Sequence, residues 1–252
     1  MSLSVGRIRK PEGRLADTTT PVRRGIPLYE QIYDTLWNLI FSGEITPGQR
    51  LSDREWAQHL ETSRTPVREA MRQMARDGVL LTLENGGYKV RPAESQGLAN
   101  LYRCRAPLAA LAVHDTAVAG DDRLFKQIKA VVDSTAKAIA KRDATAALKC
   151  NSRFHHLVVE SSGNPYLIII MTNLEKLILF YRISLLKSAI EDSASLDEYF
   201  DHLARGNARQ EAIVGAMMRR RPKEASRLME QHLLASADDM VHLLRPSPST
   251  AD

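Results

Sequence analysis

Apolar positions recur at helical spacing from Pro27 onward. Within Leu28–Ser42 they place Ile32, Leu36, Leu39 and Ile40 on one face. Gly43 and the Thr46-Pro47-Gly48 turn stop that helix. Ser52 and Glu55 have the spacing of a capping box, which predicts a short helix to about Leu60. A third helix opens at Ser63, with Pro66 in its first turn, and runs to Asp77 before Gly78. Residues 79–83 and 88–91 flank an Asn-Gly turn and predict a β-hairpin that ends at Pro92. From Ser95 the pattern is helical throughout. Breaks at Gly120, Asp143, Pro165, residues 193–195 and Pro222 divide it into about six helices.

The predicted fold is mainly α. An N-terminal winged helix-turn-helix, three helices plus a β-hairpin, spans residues 26–92. An all-α helical bundle follows over residues 95–244. Residues 1–25 read as a disordered basic arm and residues 245–252 as a disordered tail.

Charge sharpens this only through its distribution. The chain has 252 residues and a formal charge of +5. Residues 1–25 hold six basic side chains against two acidic ones, whereas residues 26–92 hold eight against nine. A DNA-binding argument therefore rests on where the arginines sit. Cys104 and Cys150 match no metal or redox spacing. The most apolar stretch, 167–186, is interrupted by Glu175, Lys176 and Arg182, so it reads as a buried helix and not as a membrane span. With no apolar leader, the expectation is a cytoplasmic chain without a membrane partner.

The third helix carries Arg64, Arg68, Arg72 and Arg76 at steps of four, a slowly drifting stripe. Val67, Met71 and Met74 fall mostly on the other side. An apolar back and an arginine front suit a major groove: the first residues meet base edges, the later arginines phosphates. The small side chains around Gly86 would let the hairpin tip approach a minor groove.

Residues 27–92 resemble the GntR family of regulators. The match runs through Leu28-Tyr-Glu-Gln-Ile32, Pro47-Gly48-Gln-Arg-Leu51, Arg54-Glu55, Ser63-Arg-Thr-Pro-Val-Arg-Glu-Ala70 and Arg76-Asp-Gly78. The resemblance implies DNA contacts from Arg54, Arg64, Thr65 and Arg68, with Gly86 at the wing tip. It also implies a homodimer on a palindromic operator of double-stranded DNA. Trp56 departs from the family's small aliphatic residue and is expected to pack in the core.

The helix from Ser95 has a second message. Leu98, Leu101, Leu108 and Ala112 share one face within about 80°, and Arg105 falls in its middle. A buried guanidinium needs an anionic partner, either an internal carboxylate or a bound one. Asn151 and His155, Gln210, and His232 likewise sit on apolar faces of later helices, which points to a polar cavity inside a bundle.

Residues 95–244 resemble the FCD sensor domain of FadR-type GntR regulators. Asn151-x-x-Phe154-His155, Ser162-Gly-Asn164-x-x-Leu167 and Ala225-x-x-x-Met229-x-x-His232-Leu233 carry the likeness. Many members of that family hold a divalent metal such as Zn²⁺ through Asp or Asn and three histidines. The corresponding positions here are Asn151, His155, Gln210 and His232. Gln210 replaces the usual His and leaves Asn151, His155 and His232 as metal candidates; amide oxygens are weak ligands for Zn²⁺. Two states stay open: a metal site, or a metal-free pocket in which Arg105, Asn151, His155, Gln210 and His232 hold an effector, an organic acid carrying a carboxylate. The expected function is a transcription regulator, a repressor whose operator binding such an effector modulates. A metal-dependent hydrolase on the helical domain and an architectural DNA-binding protein are the alternatives; no catalytic motif favours an enzyme.

Overall fold

A computed structural model describes residues 25–190 and 193–244. The expected disordered arm and tail fall almost wholly outside these residues. Helix α1 (Leu28–Ser42) buries Ile32, Leu36, Leu39 and Ile40, as its pattern predicts, and adds Trp37. It ends where Gly43 turns left-handed at φ 84°, its N–H bonded back to Leu39 and Ile40. Strand β1 (Arg50–Leu51) follows, then α2 (Asp53–His59), whose first turn is capped by Ser52 Oγ accepting from Glu55 N. Helix α3 (Arg64–Arg76) turns Val67, Ala70, Met71 and Met74 inward. Strands β2 (Leu80–Thr82) and β3 (Tyr88–Val90) complete the wing.

The sheet has three antiparallel strands in the order β1-β3-β2, with Leu51 opposite Tyr88 and Leu80 opposite Val90. The hairpin closes over Glu84, Asn85 and Gly86, with Leu83 and Gly87 paired at its neck. Gly87 has φ +81°, and a Cβ there would lie 3.1 Å from the Leu51 carbonyl oxygen. Only glycine lets β3 start this close to β1. Trp56 is half-buried at the edge of this core, not within it.

Six helices build the second layer: α4 (Ser95–Ala119), α5 (Asp122–Ala140), α6 (Ala144–Ser161), α7 (Pro165–Ile190), α8 (Ser193–Met218) and α9 (Pro222–Leu243). Asp121 and Asp143 cap α5 and α6 through their carboxylates, and Asn164 caps α7 by accepting from Tyr166 N and Leu167 N. Helix α9 packs along α4 and α8, and α5 lies against α6 and α8. Helix α7 packs on α4, α6 and α8 and also reaches the winged domain. There Lys176 Nζ pairs with Asp77 Oδ2 at 3.2 Å, and Tyr33 donates its hydroxyl to the same oxygen at 2.5 Å. Further along, Lys187 Nζ donates to the Ile40 carbonyl at 3.2 Å. No helix among the described residues is long and apolar enough to cross a membrane.

Candidate functional sites

The first site is the outer face of α3. Arg64, Thr65, Arg68 and Arg72 are exposed, as is Arg54 in the first turn of α2, while the apolar side of α3 is fully buried. Asp53, in the first turn of α2, receives Arg64 Nη2 at 3.0 Å and Arg68 Nε at 2.7 Å. Burial raises the Asp53 carboxyl, but the two guanidiniums outweigh it and hold it below the ordinary range. The helix-turn-helix is thus cross-braced: one carboxylate fixes two arginines side by side on the surface. Gly86 stands exposed at the wing tip, and a Cβ there would touch nothing within 4 Å. Exposed arginines braced on one carboxylate, with an exposed glycine at the wing tip, are chemically able to meet phosphates and base edges.

The second site lies within the bundle. Arg105 on α4 is 1% exposed, as expected of it. The inward stripe of α4 runs through Leu98, Tyr102, Ala109 and Val113; Leu101 and Leu108 stand at its edge. From α6 come Asn151 and His155, from α8 Gln210, and from α9 His232, all buried. The His155 and His232 rings stack with centroids 5.6 Å apart. Burial, reinforced by the charge of Arg105, drives both imidazoles well below their ordinary pKa, so they are neutral. The Asn151 and Gln210 amides meet at 2.5 Å.

Three residues that the sequence pattern did not single out complete this site. Arg182 on α7 is buried and donates to the Tyr102 hydroxyl at 3.3 Å. It also orients Asn151: turned with its oxygen toward the guanidinium, that amide accepts from Arg182 Nη2 at 3.0 Å and from Nη1 as well. The opposite orientation would set Asn151 N–H against the guanidinium N–H groups; Gln210 turns with Asn151, so that its oxygen and not Nε2 meets the Asn151 N–H. Tyr102 also places its ring beside Arg105, 5.6 Å from the guanidinium carbon. Glu175, about two turns before Arg182 on α7 with Ile178 between, is the third. Burial raises its carboxyl and Arg105 opposes that. His156 is half-buried and holds Glu175 at 3.5 Å.

A cavity of about 230 Å³ opens among Arg105, His155, Glu175 and Arg182. Asn151, Gln210 and His232 do not line it. Within the site Arg105 Nε and Nη1, His155 Nε2, Glu175 Oε1 and both His232 nitrogens have no partner in the protein. His202, also buried on α8, turns toward Asp239 at 3.4 Å. The metal expectation meets a poor fit. Its candidates Asn151, His155 and His232, with Gln210, offer two imidazoles and two neutral amides, and the Asn151 oxygen already serves a guanidinium. Among the described residues no three His, Cys, Asp or Glu side chains converge on one point. A divalent cation beside Arg182 with no carboxylate ligand is electrostatically unfavourable.

Comparison with known proteins bears on both sites. Residues 28–90 match the family described as bacterial regulatory proteins, gntR family, and residues 100–235 match the FCD domain. The HTH-type transcriptional regulator YdhC of Bacillus subtilis is 30% identical over 86% of this chain and 91% of its own. The transcriptional repressor GlaR of Escherichia coli is 25% identical over 80% of this chain and 90% of its own. The gluconate operon transcriptional repressor of Bacillus licheniformis is 26% identical over 72% and 73%. Among solved structures, E. coli McbR/YncC superposes with a TM-score of 0.67 at 19% identity, covering 87% of this chain and all of that one. A GntR regulator from Rhodococcus sp. RHA1 gives 0.66 at 19%, over 86% and 99%. With a gntR-type winged helix and an FCD domain in that order, the chain belongs to the gntR family of transcriptional regulators.

Proposed function

We propose that this regulator is a repressor: a homodimer whose two arginine faces grip a palindromic operator, and whose hold is set by an organic acid in the bundle cavity. The observation that carries the reading is the pair Arg64 and Arg68, fixed on one carboxylate at the exposed face of α3. Arg54, Thr65 and Arg72 extend that face and Gly86 reaches beside it. Two relatives named as repressors support the sign of regulation.

An acid suits the cavity because Arg105, Arg182 and the Asp77-paired Lys176 line it against a single carboxylate, Glu175. One similar repressor is named for a gluconate operon, which agrees with an acidic effector. Binding of the acid would change the relative placement of the two winged domains and hence their fit to two half-sites. No observation favours the hydrolase or the ligand-free architectural protein.

The test is a gel-shift series on genomic fragments selected by the native chain. Arg68→Ala should weaken operator binding about five- to 150-fold, the loss expected for a base or phosphate contact of about 1–3 kcal/mol. It should leave the circular dichroism spectrum unchanged, because Arg68 is exposed. Unaltered affinity in Arg68→Ala, or no duplex preference in the native chain, defeats the reading.

A further inference from the structure

The cavity holds a specific imbalance. Arg182 is spent inside the protein, on Asn151 and the Tyr102 hydroxyl. Arg105 is not: its Nε and Nη1, two N–H donors that an anion can take, have no protein partner, though the side chain is 1% exposed. Glu175 offers the complementary lack, an Oε1 that accepts from nothing. A carboxylate oxygen in this position takes an O–H or N–H donor. His155 Nε2 is a third free polar atom on the same wall. The space, about 230 Å³, is room for about eight water-sized groups. Lys176 also lines the space but is paired with Asp77, so the two guanidiniums against Glu175 leave one positive charge for a ligand to balance.

We propose that this cavity is a metal-independent receptor for a small hydroxymonocarboxylate. Its carboxylate seats on Arg105, its hydroxyl donates to Glu175 Oε1, and Arg182, bonded to Asn151, supplies positive charge there without a metal ion. The proposal rests on the sensing role given above and names the ligand's chemistry. It follows from the placement of Arg182 as much as from Arg105. That guanidinium lines the cavity and touches Asn151, so it stands between the ligand and the residue that would hold a cation.

The experiment is isothermal titration of the full chain, dialysed against EDTA, with lactate, glycerate, propionate and malonate, repeated with excess Zn²⁺. Lactate or glycerate should bind about ten- to a hundredfold more tightly than propionate, the worth of one hydrogen bond to a charged group. The affinities should be equal in EDTA and in Zn²⁺. Arg105→Gln should abolish binding; Arg105→Lys, which keeps the charge, should retain a weakened response and so controls for folding. Glu175→Met should bring the hydroxylated and plain acids to similar affinity, a change of ratio that mere loosening of the fold does not produce. Binding that requires Zn²⁺, propionate equal to lactate, preference for the dianion malonate, or no acid bound at about 10 mM would each overturn the proposal. A chain that binds its operator yet ignores every acid sinks this proposal alone. One that binds lactate but no duplex sinks the regulator reading instead.

Discussion

His202 is buried on α8 beside Asp239, and burial, with the charge of Arg182, pulls its pKa down to about 4 against the pull of Asp239. In the unfolded chain the imidazole returns to an ordinary value near 6.5. Between these values the unfolded state binds a proton that the folded state refuses, so stability falls as pH drops from about 6.5 towards 4. Each such histidine contributes about 1 kcal/mol per pH unit within its window. His155 and His232 are shifted the same way and steepen the loss. Urea midpoints should decline clearly from pH 7 to pH 5, with a shallower slope in His202→Gln; equal midpoints would contradict these shifts. Arg105 was legible in the sequence because it interrupts an apolar stripe on a helix with a polar opposite face. Arg182 was not. Helix α7 is apolar on almost every side, so no alternation marks its inward face, and a charge there reads only as an interruption. The pairing of Arg182 with Asn151 joins residues on different helices, and helical periodicity does not report such a contact.

At the scale of elements, α1, α2 and α3 follow their predicted spans within a residue or so, because caps and amphipathic spacing agree there. Strand β1 escaped notice: two residues show no period, and its pairing with β3 is set by the wing folding back. That fold-back gives the wing its tightest point. Gly87→Ala must place a Cβ 3.1 Å from the Leu51 carbonyl at φ +81°, whereas Gly86→Ala at the same φ meets nothing within 4 Å. Both should lose roughly 1–2 kcal/mol to the left-handed backbone. Gly87→Ala should lose more, seen as a lower urea midpoint than Gly86→Ala. Equal midpoints would mean that β1 yields to the methyl group.

Across the whole molecule, the sequence conveyed the order of domains and the presence of buried polar groups, but not how six helices arrange them around a cavity. The outer surface has its own pattern. Tyr166, Ile169 and Ile170 project from the start of α7, 77%, 61% and 47% exposed, and their spacing puts them on one face. An apolar face of this kind suits a second copy of the chain. Ile169→Arg should shift the protein toward monomer in sedimentation velocity and weaken operator binding, since one winged domain holds only one half-site. A variant that sediments like the native chain would move the dimer contact elsewhere.

Helix α7 places two unlike neighbours side by side. Glu175 faces the cavity, and Lys176, the next residue, also reaches Asp77 at the end of α3. Successive residues sit about 100° apart around a helix axis. The helix is therefore a short crankshaft: a roll of a few degrees that draws Glu175 toward a guest swings Lys176 through the same angle. Asp77, the C-cap of α3, feels that swing without any intervening loop to absorb it.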